Sequence, residues 1–546
     1  MMTRKLSSVV LLCLLVCATV SGQTTTFTYT GINGYYDYQT NYRAPQYIRA
    51  CPGTSYIHAI MMVADDSLNP STSRRTAYAF SSDGGTTWTT FNQIRIPNRR
   101  SGFPSLDILQ GTAAGAAVIA NHNIVTIGLQ SLVYIDYPIG SGAFSELNAP
   151  PLLGGDEPIF PEIAGAADGS IVMIASRAAG GSTHRIRTSD FASWSQWGTV
   201  TLEFISDGYV AEGNSTGRVG IAIGAPFSPL QWLESTDNGV TWPPTLTNLL
   251  PENIPFGPDT FGITPGLDLV YVGSDTLITF GVTKLISGNL TQRFSGIGFY
   301  SEATGFVLAV PHDSVAGAID TLRKRQVNMF PVGCPAIGVS GSNIVIAFQA
   351  FMAETSQAGF NYGDIFFTTS SNGGRNWSYP SNLTHTLNLD ERSVSVSKWN
   401  PPGSVYLVYQ EDPQPGSAVF GGDNSPMARV RQRFCKVTGF STSVENLSNE
   451  APTGFALYQN YPNPFNPATT IQFQIGKVRG QQSEVTHVTL KVFDLLGREV
   501  ATIVNEEMRP GSYEKVFNAE GLPSGVYFYK IVAGRQVATK KAVLLK

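Results

Sequence analysis

Charge is scarce in this chain. Asp, Glu, Lys and Arg together make only 14% of 546 residues, while aromatics reach 11% and glycine numbers 55. That profile excludes a disordered polyelectrolyte and points to turn-rich β structure. The five cysteines are too few for a disulfide scaffold and none stands in a C-x-x-C pair. The six histidines form no H-E-x-x-H or other paired-ligand spacing, so no metal is expected. No cofactor is expected either, because G-x-S-x-G, phosphate-loop and dinucleotide patterns are missing. No apolar run reaches the roughly 18 residues of a membrane span. The length exceeds what one core sustains, so one large repeat domain with at least one small domain is expected.

The N-terminus reads as an export signal. Arg4 and Lys5 precede an apolar run from Val9 to Val20, and small residues follow before Gln23, which places cleavage near Gly22. Cys13 and Cys17 leave with residues 1–22; Cys51, Cys334 and Cys435 remain. One disulfide with one buried thiol is expected, and Cys51–Cys435 is the better pairing because the last repeat unit stands beside the first in a ring. Residues 451–546 carry 11 Lys and Arg against 7 Asp and Glu, and the signal carries two basic residues. The stretch between therefore holds −10 of the chain's total of −4. A body of that sign argues against nucleic acid or an anionic membrane as partner.

SSDGGTTW (Ser81 to Trp88) returns as STDNGVTW (Ser235 to Trp242) and, with Asn for Asp, as SSNGGRNW (Ser370 to Trp377). TSDFASW is a shortened copy with Asp190 and Trp194. The turn markers Asp83, Asp136, Asp190 and Asp237 stand 53, 54 and 47 residues apart, and further units follow near Ser301 and at Asn372. Periods of this length with about four strands each indicate a β-propeller; seven units are favoured and six remain possible. In each octet the Asp takes backbone N–H groups of its own turn, Gly supplies the turn's angles, and Trp packs between neighbouring sheets.

Ser81, Asp83, Gly85 and Trp88, with Ser235, Asp237, Gly239 and Trp242, resemble the Asp-boxes (BNR repeats) of sialidase-like propellers; Ser370, Asn372, Gly374 and Trp377 depart by one residue. The resemblance implies a structural hairpin remote from any active centre. Sialidase chemistry would require an arginine trio, a Tyr–Glu nucleophile pair and an Asp acid. Sialidases place an Arg-Ile-Pro segment before the first box, whereas Arg95-Ile96-Pro97 follows it here. No release of sialic acid is expected.

After Cys435 the texture changes. Residues 441–454 read as a small-residue linker, and residues 455–546 alternate with period two, as a small immunoglobulin-like sandwich does. Pro462-Asn463-Pro464 with Phe465, Asp494 and Gly497 of the FDLLG turn, Gly525-Val526-Tyr527, and a basic-apolar end containing Lys541 resemble the type A C-terminal sorting domain of type IX secretion cargo. This resemblance implies a Bacteroidetes-type producer, passage through the periplasm, contact with the type IX machinery, and a body of residues 23–440 that is secreted or held at the outer surface.

The innermost strands of a propeller line its channel, so Arg49, Asp156, Glu157, Glu162, Glu212, Asp390, Glu391 and Arg392 are candidates to converge there. Glu162, Asp390 and Arg392 are the catalytic candidates, since glycoside hydrolysis needs paired carboxyls. GINGYYDYQTNY (Gly31 to Tyr42) offers Tyr35, Tyr36 and Tyr38 for ring stacking; an edge strand and loop packed on the propeller accounts for it equally well. The expectation is an exported propeller that binds or scaffolds a neutral or cationic extracellular polymer, glycan or protein, with a glycan-processing hydrolase as the alternative.

Overall fold

A computed structural model describes residues 23–440 apart from 92–95, 97–98, 112–113, 126–127, 153–154, 204, 325–327 and 420–424. In the tail it describes residues 456–545 apart from 458–459, 461–464, 476–485, 509–510 and 535. The signal, the linker, Arg95, Pro97 and Pro462 to Pro464 thus lie outside the described residues. The chain divides into compact units at Ser443/Val444.

In the first unit the described strands make seven sheets, antiparallel but for the short strand Trp399–Asn400, which lies parallel to Val332–Ser340; two of them are widened to five strands. Their innermost full strands are Ile48–Ala50, Ser101–Ile108, Pro158–Gly165, Tyr209–Gly213, Asp259–Val272, Val332–Ser340 and Asp390–Val396. Each touches the next and the last touches the first, so the sheets close a ring, which is a β-propeller. The closing sheet is built from both ends of the body: Thr24–Gly34 pairs with Val430–Thr438, from Thr24 opposite Thr438 to Gly34 opposite Val430.

The octets repeat one geometry. Ser81 Oγ takes the Gly85 N–H and donates to Asp83 Oδ1, at 2.9 Å each. Asp83 also takes the N–H and hydroxyl of Thr87 at 2.8 and 2.6 Å, which holds its carboxyl down at about 2. Ser235, Asp237, Gly239 and Thr241 repeat these contacts. Asn372 keeps the one acceptor that matters: its Oδ1 takes the Ser370 hydroxyl and the Asn376 N–H, both at 3.0 Å. In the short copy Phe191, at φ 53°, stands in the left-handed turn position that a glycine fills elsewhere.

Two of these turns lock their own sheet onto the one before it. A Cβ on Gly85 would lie 2.1 Å from Phe434 of the seventh sheet, and one on Gly374 would lie 2.1 Å from Phe299 of the fifth. The tryptophans meet the same rings, Trp88 with Phe434 at 61° and Trp377 with Phe299 at 65°, both at 5.2 Å between centroids. Trp242 differs; it is half-buried beneath the Arg185 guanidinium, 4.8 Å from its ring centre.

The expected Cys51–Cys435 bridge is not formed, and Cys51, Cys334 and Cys435 are free thiols. Cys435 packs with Ala336, Val345 and Ile365 between the sixth and seventh sheets. Cys51 faces the second sheet instead, its Sγ 3.4 Å from the Gly115 carbonyl. Units adjacent in the ring therefore still point these two side chains into different layers.

The tail is a sandwich of a three-stranded sheet (Ala456–Leu457, Ala468–Ile475, Gly511–Asn518) and a four-stranded one (Thr486–Phe493, Glu499–Met508, Gly525–Ala533, Gln536–Leu544). Leu490, Tyr529, Ile531 and Leu544 are among its fully buried core residues. Asp494 ties its hairpin by accepting the N–H groups of Leu496 and Arg498, while Gly497 takes φ 77°. Gly525 opens the next strand, and Lys541 points outward from the last one. Buried Phe465 pins that last strand, donating to Val543 and accepting from Leu545.

Candidate functional site

The channel is filled by its own lining. Arg49 reaches Asp107 at 3.0 Å and Glu212 at 3.1 Å. Gln46 Oε1 takes an Arg49 N–H at 3.0 Å, and its amide donates to Asp268 at 2.7 Å. Lys398 closes on the same Asp268. The free carboxylate oxygens bind the next sheet: Asp107 takes the Gly165 N–H at 2.7 Å and Asp268 the Ile337 N–H at 2.8 Å. Ser395 and Ser397 take Tyr47 and Ala50 N–H groups across the ring closure. Burial pushes Glu212 up to about 8 against the pull of Arg49, and pushes Lys398 down. Such a net joins sheets; its donors and acceptors satisfy one another.

Five innermost strands carry a bulge, four near their start and one midway along Asp259–Val272. Phe103, Phe160, Cys334 and Ser393 sit there at φ 51° to 55°, and Gly266 at 107°. The segment 35–47 crosses this mouth. Asp37 accepts from Ser417 and Ala418 near the seventh sheet, whereas the Asn41 and Tyr42 N–H groups reach Asp207, each at 2.9 Å, just before the fourth sheet's inner strand. Ala44 donates to Leu267 of the fifth sheet, and Arg43 drops onto Glu162 of the third.

The sequence candidates separate accordingly. Arg49 and Glu212 meet in the channel; Glu162 is sealed under Arg43. Arg392 lies between Asp390 at 3.2 Å and Asp412 at 2.8 Å. Glu391 is buried on the Thr386 hydroxyl, and desolvation drives it to about 9. Asp156 pairs with Arg177 at the surface, and Glu157 is half-buried beside Gly128. Tyr36 is buried; Tyr38 donates to Asn41 and accepts from Asn328; Tyr35 lies under the Arg429 guanidinium. Asp107, Asp268, Lys398 and Arg43 were not among the candidates; the sequence signal for the first two is isolated charge inside apolar strands, whereas Arg43 and Lys398 lie outside the strands and carried none.

Burial holds Asp390 up to about 6 and Asp412 up to about 7, with Arg392 opposing. Unfolded aspartates titrate near ~4, so the folded state binds these protons more tightly. Their stabilising contribution is complete below about pH 4 and is lost as pH climbs through 6 and 7. The melting temperature is therefore expected to fall between pH 5 and pH 8; a rise over that interval, measured by calorimetry, would count against this arrangement.

On the face crossed by segment 35–47 lies an open groove of about 1120 Å³. Tyr42, Phe227, Gln292, Arg293, Arg323 and Phe330 are among its walls, and Phe227 is 57% exposed. Among the described residues no His, Cys, Asp or Glu group could hold a metal, and no helix is long and apolar enough to cross a membrane.

Residues 459–545 match the family described as the secretion system C-terminal sorting domain. The chain thus carries a type IX sorting tail, which directs export to the cell surface or beyond. No curated protein is matched. Among solved structures, the polysaccharide lyase Uly1 is similar at 11% identity, over 75% of this chain and 92% of that one, with a TM-score of 0.44. Trypanosoma rangeli sialidase is similar at 10% identity, over 95% and 90%, TM-score 0.37. Penicillium chrysogenum α-L-arabinanase is similar at 12% identity, over 75% and 98%, TM-score 0.35.

Proposed function

We propose that the body is an exported Asp-box propeller that binds or scaffolds an extracellular polymer in the groove beside segment 35–47, after delivery by a type A sorting tail. The groove carries this reading: it is open, and it combines an exposed phenyl ring with amide and guanidinium donors, the mixture that suits a chain of sugar rings. The channel supports binding over hydrolysis. Asp390, Glu391 and Glu162 are each 0% exposed, and the carboxyls that hydrolysis would need are held by Arg392, Thr386 and Arg43.

The test is affinity electrophoresis of the mature chain through gels containing laminarin, xylan, chitosan or pectin. At least one polymer is expected to retard it, and Phe227→Ala combined with Gln292→Ala to weaken that retention about tenfold or more without changing the melting curve. No retardation by any of the four, or retention untouched by the double substitution, would sink the proposal. Hydrolysis of a neutral glycan that is lost in Asp390→Asn would favour the enzymatic alternative.

A further inference from the structure

The described residues bury five cationic side chains in the propeller, and four have carboxylates: Arg43 on Glu162, Arg49 between Asp107 and Glu212, Arg392 between Asp390 and Asp412, and Lys398 on Asp268. The fifth is Arg74. It opens the strand Arg74–Ser81 at the channel-mouth end and is 9% exposed. Its Nη1 donates to the Tyr36 hydroxyl at 3.1 Å, and its Nε has no partner. No carboxylate of the described residues pairs with it. An unpaired buried charge is costly, so its persistence calls for an explanation.

The neighbour at its remaining end sharpens the question. Arg74 Nη2 faces His122 Nε2 at 3.4 Å. His122 Nδ1 lies 3.2 Å from the backbone nitrogen of Phe160, which can only donate, so Nδ1 is the accepting, unprotonated nitrogen. Burial, together with Arg74, Arg100 and Arg43, pushes His122 well below its ordinary value, so the ring is neutral and carries its proton on Nε2. Two N–H donors therefore confront each other with no acceptor between them. Half-buried Arg100 adds a second cation at the rim; its Nε donates to the Ser71 carbonyl, and no carboxylate of the described residues pairs with it either.

The surroundings are built for this guanidinium. A Cβ on Gly102 would lie 2.9 Å from the Arg74 Cζ, so a larger residue there would push this guanidinium out of its present place. The left-handed bulge at Phe103 sets its ring 5.6 Å from the same carbon, and the Tyr36 ring lies at 5.7 Å.

We propose that Arg74, His122 and Arg100 form a binding site for the anionic group of an acidic sugar, the carboxylate of a uronic acid or a sulfate ester, with Tyr36 and Phe103 flanking it. The anion supplies the acceptor that both facing donors lack. The site is distinct from the groove and does not depend on it. The carboxylates among the channel candidates pointed the other way, toward a neutral or cationic polymer, whereas Arg74 and Arg100 stand apart from them with hydrogen bonds but no carboxylate of the described residues.

The experiment is titration calorimetry and thermal melting of the mature chain with D-glucuronate, glucose 6-sulfate, glucose and sodium sulfate. Glucuronate or glucose 6-sulfate is expected to bind and raise the melting temperature, and glucose to do neither. Arg74→Met is expected to weaken binding about 10- to 100-fold, the loss typical of a charged hydrogen bond. It is also expected to raise the melting temperature of the unliganded protein by removing an unpaired charge, an effect that a purely structural arginine would reverse. Arg100→Gln, at the half-buried rim, tests binding in a chain whose interior is unaltered and is expected to weaken it as well. Nitrogen NMR of His122 is expected to show a proton on Nε2 that shifts when glucuronate is added. Three results would overturn the site: no response to either acidic sugar, binding untouched by Arg74→Met and Arg100→Gln, or sodium sulfate bound as tightly as glucuronate. Retardation of Arg74→Met by a neutral polymer would leave the groove reading standing by itself.

Discussion

Trp377→Ala is expected to cost about 3–5 kcal/mol of stability, the range for removing a large aromatic from a core. Trp377 is 6% exposed, donates to the Gly374 carbonyl at 3.0 Å, and meets Phe299 edge-on across the boundary between the fifth and sixth sheets. Its loss opens that boundary, because Phe299 is also the ring on which Gly374 rests. Trp242→Ala is expected to cost less: its ring is half-buried and stacked on Arg185 rather than on another ring, and burial energy scales with area removed from water. Urea unfolding followed at two wavelengths separates the two variants. A Trp377→Ala midpoint equal to that of the parent would show that the octet does not wedge the sheets.

Deleting residues 451–546 is expected to abolish appearance in the medium and on the cell surface while the propeller still folds. The compact units part at Ser443/Val444, and the ring's closing strands are complete by Thr438. The sandwich has a core of its own, in which Tyr529 and Leu544 are 0% exposed. Cell fractionation with an antibody to the body decides the matter: a truncated chain that reaches the medium at the normal level would show that the tail is dispensable. Circular dichroism of the retained material checks the other half, and a lost β-sheet signal would show that the body depends on the tail.

The repeat was legible because its octets are local. Ser, Asp or Asn, Gly and Trp fix one turn within eight residues, and the same turn recurs in the first, fourth and sixth sheets. The tail was legible for a similar reason, since several short motifs fall in order. The crossing segment was only half legible. Its tyrosines suggested ring stacking, yet Tyr36 is spent on Arg74 and Tyr38 on Asn41 and Asn328. Ring partners come from strands hundreds of residues apart, so no spacing rule could join Arg49 to Glu212 or Lys398 to Asp268. The Arg74 site left no local trace either. One usable signal was overlooked: Phe103-Pro104, Phe160-Pro161 and Cys334-Pro335 recur where inner strands begin, and each marks a left-handed bulge at the mouth.

The sheet that joins Thr24–Gly34 to Val430–Thr438 gives the body a sense of its own length. Thr26 and Lys436, side by side in that sheet, are 410 residues apart. A contact of such separation forms late, and until it forms the opening strand presents a bare edge. The partner strand ends at Thr438, only a short stretch before the sorting region begins at residue 459. A chain cut short anywhere inside the body lacks both the clasp and the address, whereas a chain whose address can be read already contains the strand that closes the circle. Placing the export label after the last piece of the ring makes the label a certificate of completeness: a chain truncated within the ring carries no label.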